Sequence, residues 1–141
     1  MKNYRAVAGF TLIELLVTVA IIGTLTAIAI PSYFNSVKKT NRVEAKTFML
    51  EAVQSLQRCY TAYGRYNHAS CDIYNKLSDV VGLDTASKYY AVTIGPDGNL
   101  PPTSNYKMTA TAKKNGPQDK DKGCQTLFIN QAGQKSPEEC W

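Results

Sequence analysis

Twenty-one consecutive residues, Phe10–Ile30, carry no charge except the carboxylate of Glu14. A helix of that length reaches about 30 Å, enough to cross the hydrocarbon of a bilayer. Exposing such a run to water is prohibitive, so it must lie in lipid or in some other apolar medium. A carboxylate inside a spanning helix costs about 2.5–3.5 kcal/mol, so Glu14 needs a role and a partner. The expected partner is a positive charge supplied when another chain packs alongside. The segment then reads as an assembly device as well as an anchor.

Charge and cysteine usage place the rest of the chain. Lys2 and Arg5 precede the apolar run, and positive residues there keep that end in the cytoplasm. They account for part of the formal net charge of +5. The remaining excess is mild, far weaker than that of a dedicated nucleic-acid binder. A chain of 141 residues holds one compact domain beyond the apolar arm. Cys59, Cys71, Cys124 and Cys140 contain no Cys-x-x-Cys, and the lone His68 leaves a zinc site without ligands. No metal and no cofactor is expected. An even cysteine count in an exported chain reads as two disulfides, with three pairings open. Cys59–Cys71 and Cys124–Cys140 are favoured because each closes a short local loop, contributing roughly 3 kcal/mol.

Three readings compete for residues 1–30. The run could be a cleaved secretory signal with Ala27-Ile28-Ala29 as its processing site, but it is long for one and carries an acid. It could be a plain single-span anchor, which gives Glu14 no purpose. Or it could be a retained helix, processed on its cytoplasmic side at Gly9, that later packs against copies of itself.

The third reading meets a resemblance. Gly9-Phe10-Thr11-Leu12-Ile13-Glu14 resembles the prepilin cleavage motif of the type IV pilins. The likeness continues through Ala20-Ile21-Ile22-Gly23 to Ala29-Ile30-Pro31-Ser32-Tyr33, and the nine-residue leader with Phe10 following is similar to the type IVa branch. The resemblance implies cleavage after Gly9 by a prepilin peptidase, N-methylation of Phe10, and a filament-core role for Glu14. It also implies residues 1–9 as leader, 10–30 as transmembrane and filament-core helix, and 31–141 as the periplasmic or extracellular head. Cleavage frees an α-amino group on Phe10, which in a stack of subunits can sit beside another subunit's Glu14 and relieve both charges.

Pro31 lacks a backbone donor and Gly23 is a poor helix former, so a kink or break is expected at these positions. The family adds that the stretch between them can unwind on assembly. Over 32–63 the pattern is amphipathic: Ala45, Phe48, Ala52, Leu56, Cys59 and Tyr63 form a stripe, widened by Met49, Val53 and Tyr60. Gly64 ends the helix. A short helix is expected around Ile73–Val81, followed by strands over Tyr89–Ile94, Tyr106–Ala112 and Thr126–Asn130. The fold class is α+β: one long helix, half transmembrane and half amphipathic, packed on a small antiparallel sheet, which is also the roll the family implies.

Other candidate sites are weaker. Asp119-Lys120-Asp121-Lys122-Gly123 lacks the ligand spacing of a calcium loop and reads as a solvated charged loop. Lys113, Lys114, Lys120 and Lys122 could form a basic surface for DNA or host polyanions. The tail from Cys124 to Trp141 resembles the disulfide-bounded, filament-exposed region of pilins. Nothing in the chain reads as catalytic. The sequence therefore predicts a structural subunit of an extracellular type IV pilus, stored in the bacterial inner membrane as a precursor. Its partners are other pilin subunits, prepilin peptidase and the inner-membrane assembly machinery, with a host surface or DNA as further targets. The filament would serve adhesion, twitching motility or DNA uptake. A sparse minor pilin that primes assembly or binds DNA, a secretion pseudopilin and a DNA-binding module are the alternatives.

Overall fold

The computed structural model describes residues 9–99 and 101–141, so the expected leader lies outside the described residues except for Gly9. The chain divides into two compact units, one ending at Ser36 and the other spanning Val37–Trp141.

Helix α1 (Leu12–Tyr63) is 52 residues long. Every residue from Gly9 to Ser36 is exposed in the isolated subunit, including all the apolar side chains of the run. By length and composition this segment can cross a membrane. Its hydroxyls need no water: Thr18 donates to the Leu15 carbonyl at 2.8 Å, Thr24 to Ile21 at 2.9 Å and Thr26 to Ile22 at 2.8 Å. The expected break at Gly23 and Pro31 is corrected, because α1 runs through both positions as continuous helix. Pro31 removes a single backbone donor, and the intact turns on either side hold the helix across that one missing bond.

In the second unit the C-terminal part of α1, helix α2 (Asp72–Leu77) and a five-stranded antiparallel sheet share one core. The strands are β1 (Leu83–Asp84), β2 (Tyr90–Gly95), β3 (Lys107–Ala112), β4 (Thr126–Asn130) and β5 (Lys135–Ser136), ordered in space as in sequence. Register aligns two apolar rows across the sheet, Val92–Ala110–Leu127 and Ile94–Met108–Ile129. These rows are buried with Ala45, Met49, Ala52 and Leu56 of α1. The alternation of alanine with larger side chains lets the helix seat close to the sheet and fill the gaps between its rows.

Three strands and α2 lie within a few residues of their expected places, with β4 at the expected limits. The helical stripe is rotated from expectation. Asn41, Ala45, Met49, Ala52 and Leu56 are buried, Phe48 and Cys59 flank the core, and Tyr63 is 45% exposed. Two of the positive-φ glycines shape the head's framework. Gly64 ends α1 at φ 67° while its N–H donates to the Tyr60 carbonyl at 2.8 Å. A Cβ at Gly82 (φ 64°) would stand 2.2 Å from the Val92 carbonyl oxygen.

The core also holds a buried phenol. Tyr106 is fully buried, and its ring meets that of Tyr66 edge-on at 4.8 Å. Burial, with a smaller contribution from Tyr66, pushes its pKa up to about 12. A folded-state pKa above the unfolded value near 10 means this contribution is intact below pH 10 and is lost as pH rises toward 12. Tyr106→Phe should therefore flatten the alkaline fall in stability over that window by about 2–3 kcal/mol. Denaturant midpoints of both proteins at pH 8, 10 and 12 check this, and parallel pH profiles would refute it.

Candidate functional site

The N-terminal end of α1 is organised around Glu14. The Glu14 backbone N–H donates to Thr11 Oγ1 at 3.3 Å. Glu14 Oε2 in turn accepts from the Thr11 backbone N–H at 3.3 Å and from the Thr11 hydroxyl at 3.0 Å. With Leu12 as the first helical residue, this is a reciprocal capping box. It satisfies two otherwise orphaned N–H groups and places a carboxylate at the positive end of the helix dipole. Phe10, the residue before the cap, is 74% exposed. The acid thus has an intrachain role beside the intermolecular one expected of it, and it is held within a turn of Phe10.

In the second unit a buried polar clasp ties the 117–124 segment to α1. The Arg42 guanidinium donates to both carboxylate oxygens of Asp121, Nε to Oδ2 and Nη2 to Oδ1 at 2.6 Å each. This bond raises the Arg42 pKa against the opposing effect of burial. Gln118, fully buried, accepts from Asn41 Nδ2 at 3.2 Å and donates to the Tyr90 hydroxyl at 3.0 Å. The Tyr90 hydroxyl donates onward to the Cys124 carbonyl at 2.8 Å. The reading of residues 119–123 as a solvated loop holds for Asp119, Lys120, Lys122 and Gly123, which are exposed, and is corrected at Asp121, which is 5% exposed and serves as the anchor of that segment. Among the basic candidates, Lys113 is paired with Asp84 at 2.5 Å, while Lys114, Lys120 and Lys122 are exposed.

Disulfides join Cys59 to Cys71 and Cys124 to Cys140, each with Cα atoms 5.7 Å apart. The first fastens the segment after α1 back onto it, and the second closes the tail over β4 and β5. His68 stacks on Tyr63 with centroids 4.1 Å apart, and its Nδ1 accepts from the Ser70 N–H at 3.1 Å. Among the described residues no cluster of His, Cys, Asp and Glu could hold a metal ion.

Comparison with known proteins converges on these features. Residues 4–30 match the prokaryotic N-terminal methylation motif. Residues 31–128 match the family described as type IV minor pilin ComP, DNA uptake sequence receptor. The chain belongs to this family of type IV pilins. The type IV major pilin protein PilA of Myxococcus xanthus is 39% identical over 75 residues, which is 53% of this chain and 30% of that protein. The major pilin PilE1 of Neisseria gonorrhoeae is 32% identical over 76 residues, covering 52% of this chain and 46% of that one. The matches thus span less than half the length of these relatives. A solved type IV pilin from Shewanella oneidensis shares the fold, with a TM-score of 0.51 and 21% identity over 74% of this chain and 97% of the other.

Two site features of this pilin escaped the sequence reading for different reasons. Thr11 was legible, since Thr-x-x-Glu before an apolar run is a capping-box signature. The Arg42–Asp121 clasp was not, because its partners stand 79 residues apart and no local pattern links them.

Proposed function

We propose that this pilin is a filament subunit that polymerises through residues 10–30 after prepilin peptidase cuts behind Gly9 and Phe10 is N-methylated. The carrying observation is an apolar helical segment with every residue exposed, whose lone carboxylate is fixed at the helix start beside the cleavage position. The methylation-motif match over residues 4–30 supports the processing step. The subunit waits in the inner membrane, and the filament core replaces lipid with neighbouring helices as the apolar surround.

The family description favours a second layer to the reading, a sparse minor subunit that binds DNA for uptake. The head's exposed lysines, Lys114, Lys120 and Lys122, suit contact with phosphates. Intact-mass analysis of filaments sheared from cells is expected to show loss of residues 1–9, one added methyl group, both disulfides and low stoichiometry. A mass retaining the leader, or one beginning near Pro31, would overturn the processing scheme. A high copy number would return the subunit to the major class.

A further inference from the structure

Four lysines gather where the head begins. Lys38 and Lys39 lie on α1, eight and nine residues beyond Ile30. Lys120 and Lys122 belong to the 117–124 segment, which two bonds bring to the same level of the helix. Lys38 Nζ donates to the Lys120 carbonyl at 3.2 Å, and Gln118 Nε2 donates to the Lys38 carbonyl at 3.3 Å. The Arg42–Asp121 pair fixes that segment about one turn further along α1. Lys38 is half-buried and the other three lysines are exposed. Among the described residues no salt bridge joins any of the four to an acid. Asp121 is taken up by Arg42, and Asp119 Oδ2 accepts from the Asn115 N–H at 3.3 Å. Glu44, almost opposite Arg42 around α1, accepts from the Ser87 N–H at 2.7 Å. The patch is left with a net positive charge.

That charge lies on the unexpected side of the apolar run. Cations flanking a spanning helix ordinarily gather at its cytoplasmic end. Here Lys38, Lys39, Arg42 and Lys46 follow the run, while Lys2 and Arg5 precede it and belong to the expected leader. Eight residues of helix rise about 12 Å, and headgroups extend about 5–7 Å beyond the hydrocarbon. A flexible lysine stem at this level brings its ammonium to them. We propose that the lysine patch at the base of the head rests on anionic phospholipid headgroups of the membrane that stores the subunit. The inference rests on the membrane-storage reading, and adds to it a lipid class and the residues that select it. Zwitterionic headgroups carry the same phosphate with its charge cancelled by a neighbouring ammonium, so only anionic lipid offers the lysines a net counter-charge. Extraction into a filament breaks these contacts, and anionic lipid therefore retains the unassembled subunit. Phosphates of DNA meet Lys120 and Lys122 only after the head has left the membrane, so the two uses follow one another.

The test places the full chain in nanodiscs of phosphatidylcholine, alone or mixed equally with phosphatidylglycerol. Lysines are methylated with formaldehyde and dimethylamine–borane, both uncharged and so not repelled by the anionic surface, and each site is read by peptide mass mapping. Lys38, Lys39, Lys120 and Lys122 should react about fivefold more slowly in the anionic discs, and added salt should restore them. Lys76 on α2 and exposed Lys88 should react equally in both. Lys39→Gln with Lys122→Gln alters two exposed side chains, and it should cost Lys38 and Lys120 most of their protection. Equal rates in the two lipids, protection shared by Lys76 and Lys88, indifference to salt, or unchanged protection in the variant would each overturn the proposal while leaving membrane storage standing. A chain that elutes apart from the discs would overturn both.

Discussion

Glu14→Gln is expected to leave the subunit stable in the membrane and to exclude it from filaments. Glutamine at this position still accepts from the Thr11 N–H, so the capping box that holds the start of α1 survives. What disappears is the negative charge. On the processing proposed above, cleavage behind Gly9 would free the Phe10 α-amine, and a filament core would place that amine among apolar side chains. Removing one member of a buried ion pair costs about 3–5 kcal/mol, because the other charge stays behind unpaired. That corresponds to at least a hundredfold loss in the equilibrium for each subunit added. Glu14→Ala removes the same charge and the cap, adding about 0.5–2 kcal/mol of helix destabilisation. The two variants therefore separate the roles of one side chain. Immunoblots of sheared filaments against membranes should show both variants retained in the membrane and depleted from filaments. Normal incorporation of the glutamine variant would mean that Glu14 serves as a cap and the amine pairing is wrong.

What the sequence revealed and what it hid divide along range. The apolar arm, the stop at Gly64 and the alternation over 106–112 are local patterns, and each maps to a structural element near its expected limits. β1 and β5 have two residues each, too short for any periodicity to register. The helix stripe was rotated because Phe48 and Met49 are adjacent apolar residues that satisfy a 3.6-residue period equally well. Only the approach of the sheet selects Met49, which is fully buried while Phe48 is left at the margin. Pro31 misled in the other direction: a proline was read as a break, yet one missing donor in a 52-residue helix leaves the helical path intact. Residues 119–123 looked solvated because four of the five are charged, and charge in a loop ordinarily faces water. Four of them are exposed as expected, and the burial of Asp121 alone depends on a guanidinium delivered from a distant helix, which no reading of the loop alone supplies.

That dependence makes Asp121 a sensitive position in the head. Asp121→Ala is expected to lower stability by about 3 kcal/mol or more, since it strands the Arg42 guanidinium with neither its counter-charge nor its two hydrogen bonds. Arg42 keeps 20% of its side chain exposed, so partial rehydration holds the effect near the lower end of the range for buried pairs. For a unit of this size the melting midpoint should fall by roughly 10–20 °C. Gln118 also loses an acceptor, because its Nε2 reaches Asp121 Oδ2 at 3.3 Å. The damage then spreads along Gln118, Asn41 and Tyr90 to the carbonyl of Cys124, where the tail disulfide begins. Replacing both partners, Arg42→Met with Asp121→Leu, removes the stranded charge and should recover much of the loss, since an apolar pair of similar volume avoids the desolvation that the ions suffer. Thermal melts of the single and double variants, measured by circular dichroism, give the coupling directly. Additive losses would show that the two side chains do not act as a pair, and that the tail is held to α1 by the neutral hydrogen bonds alone.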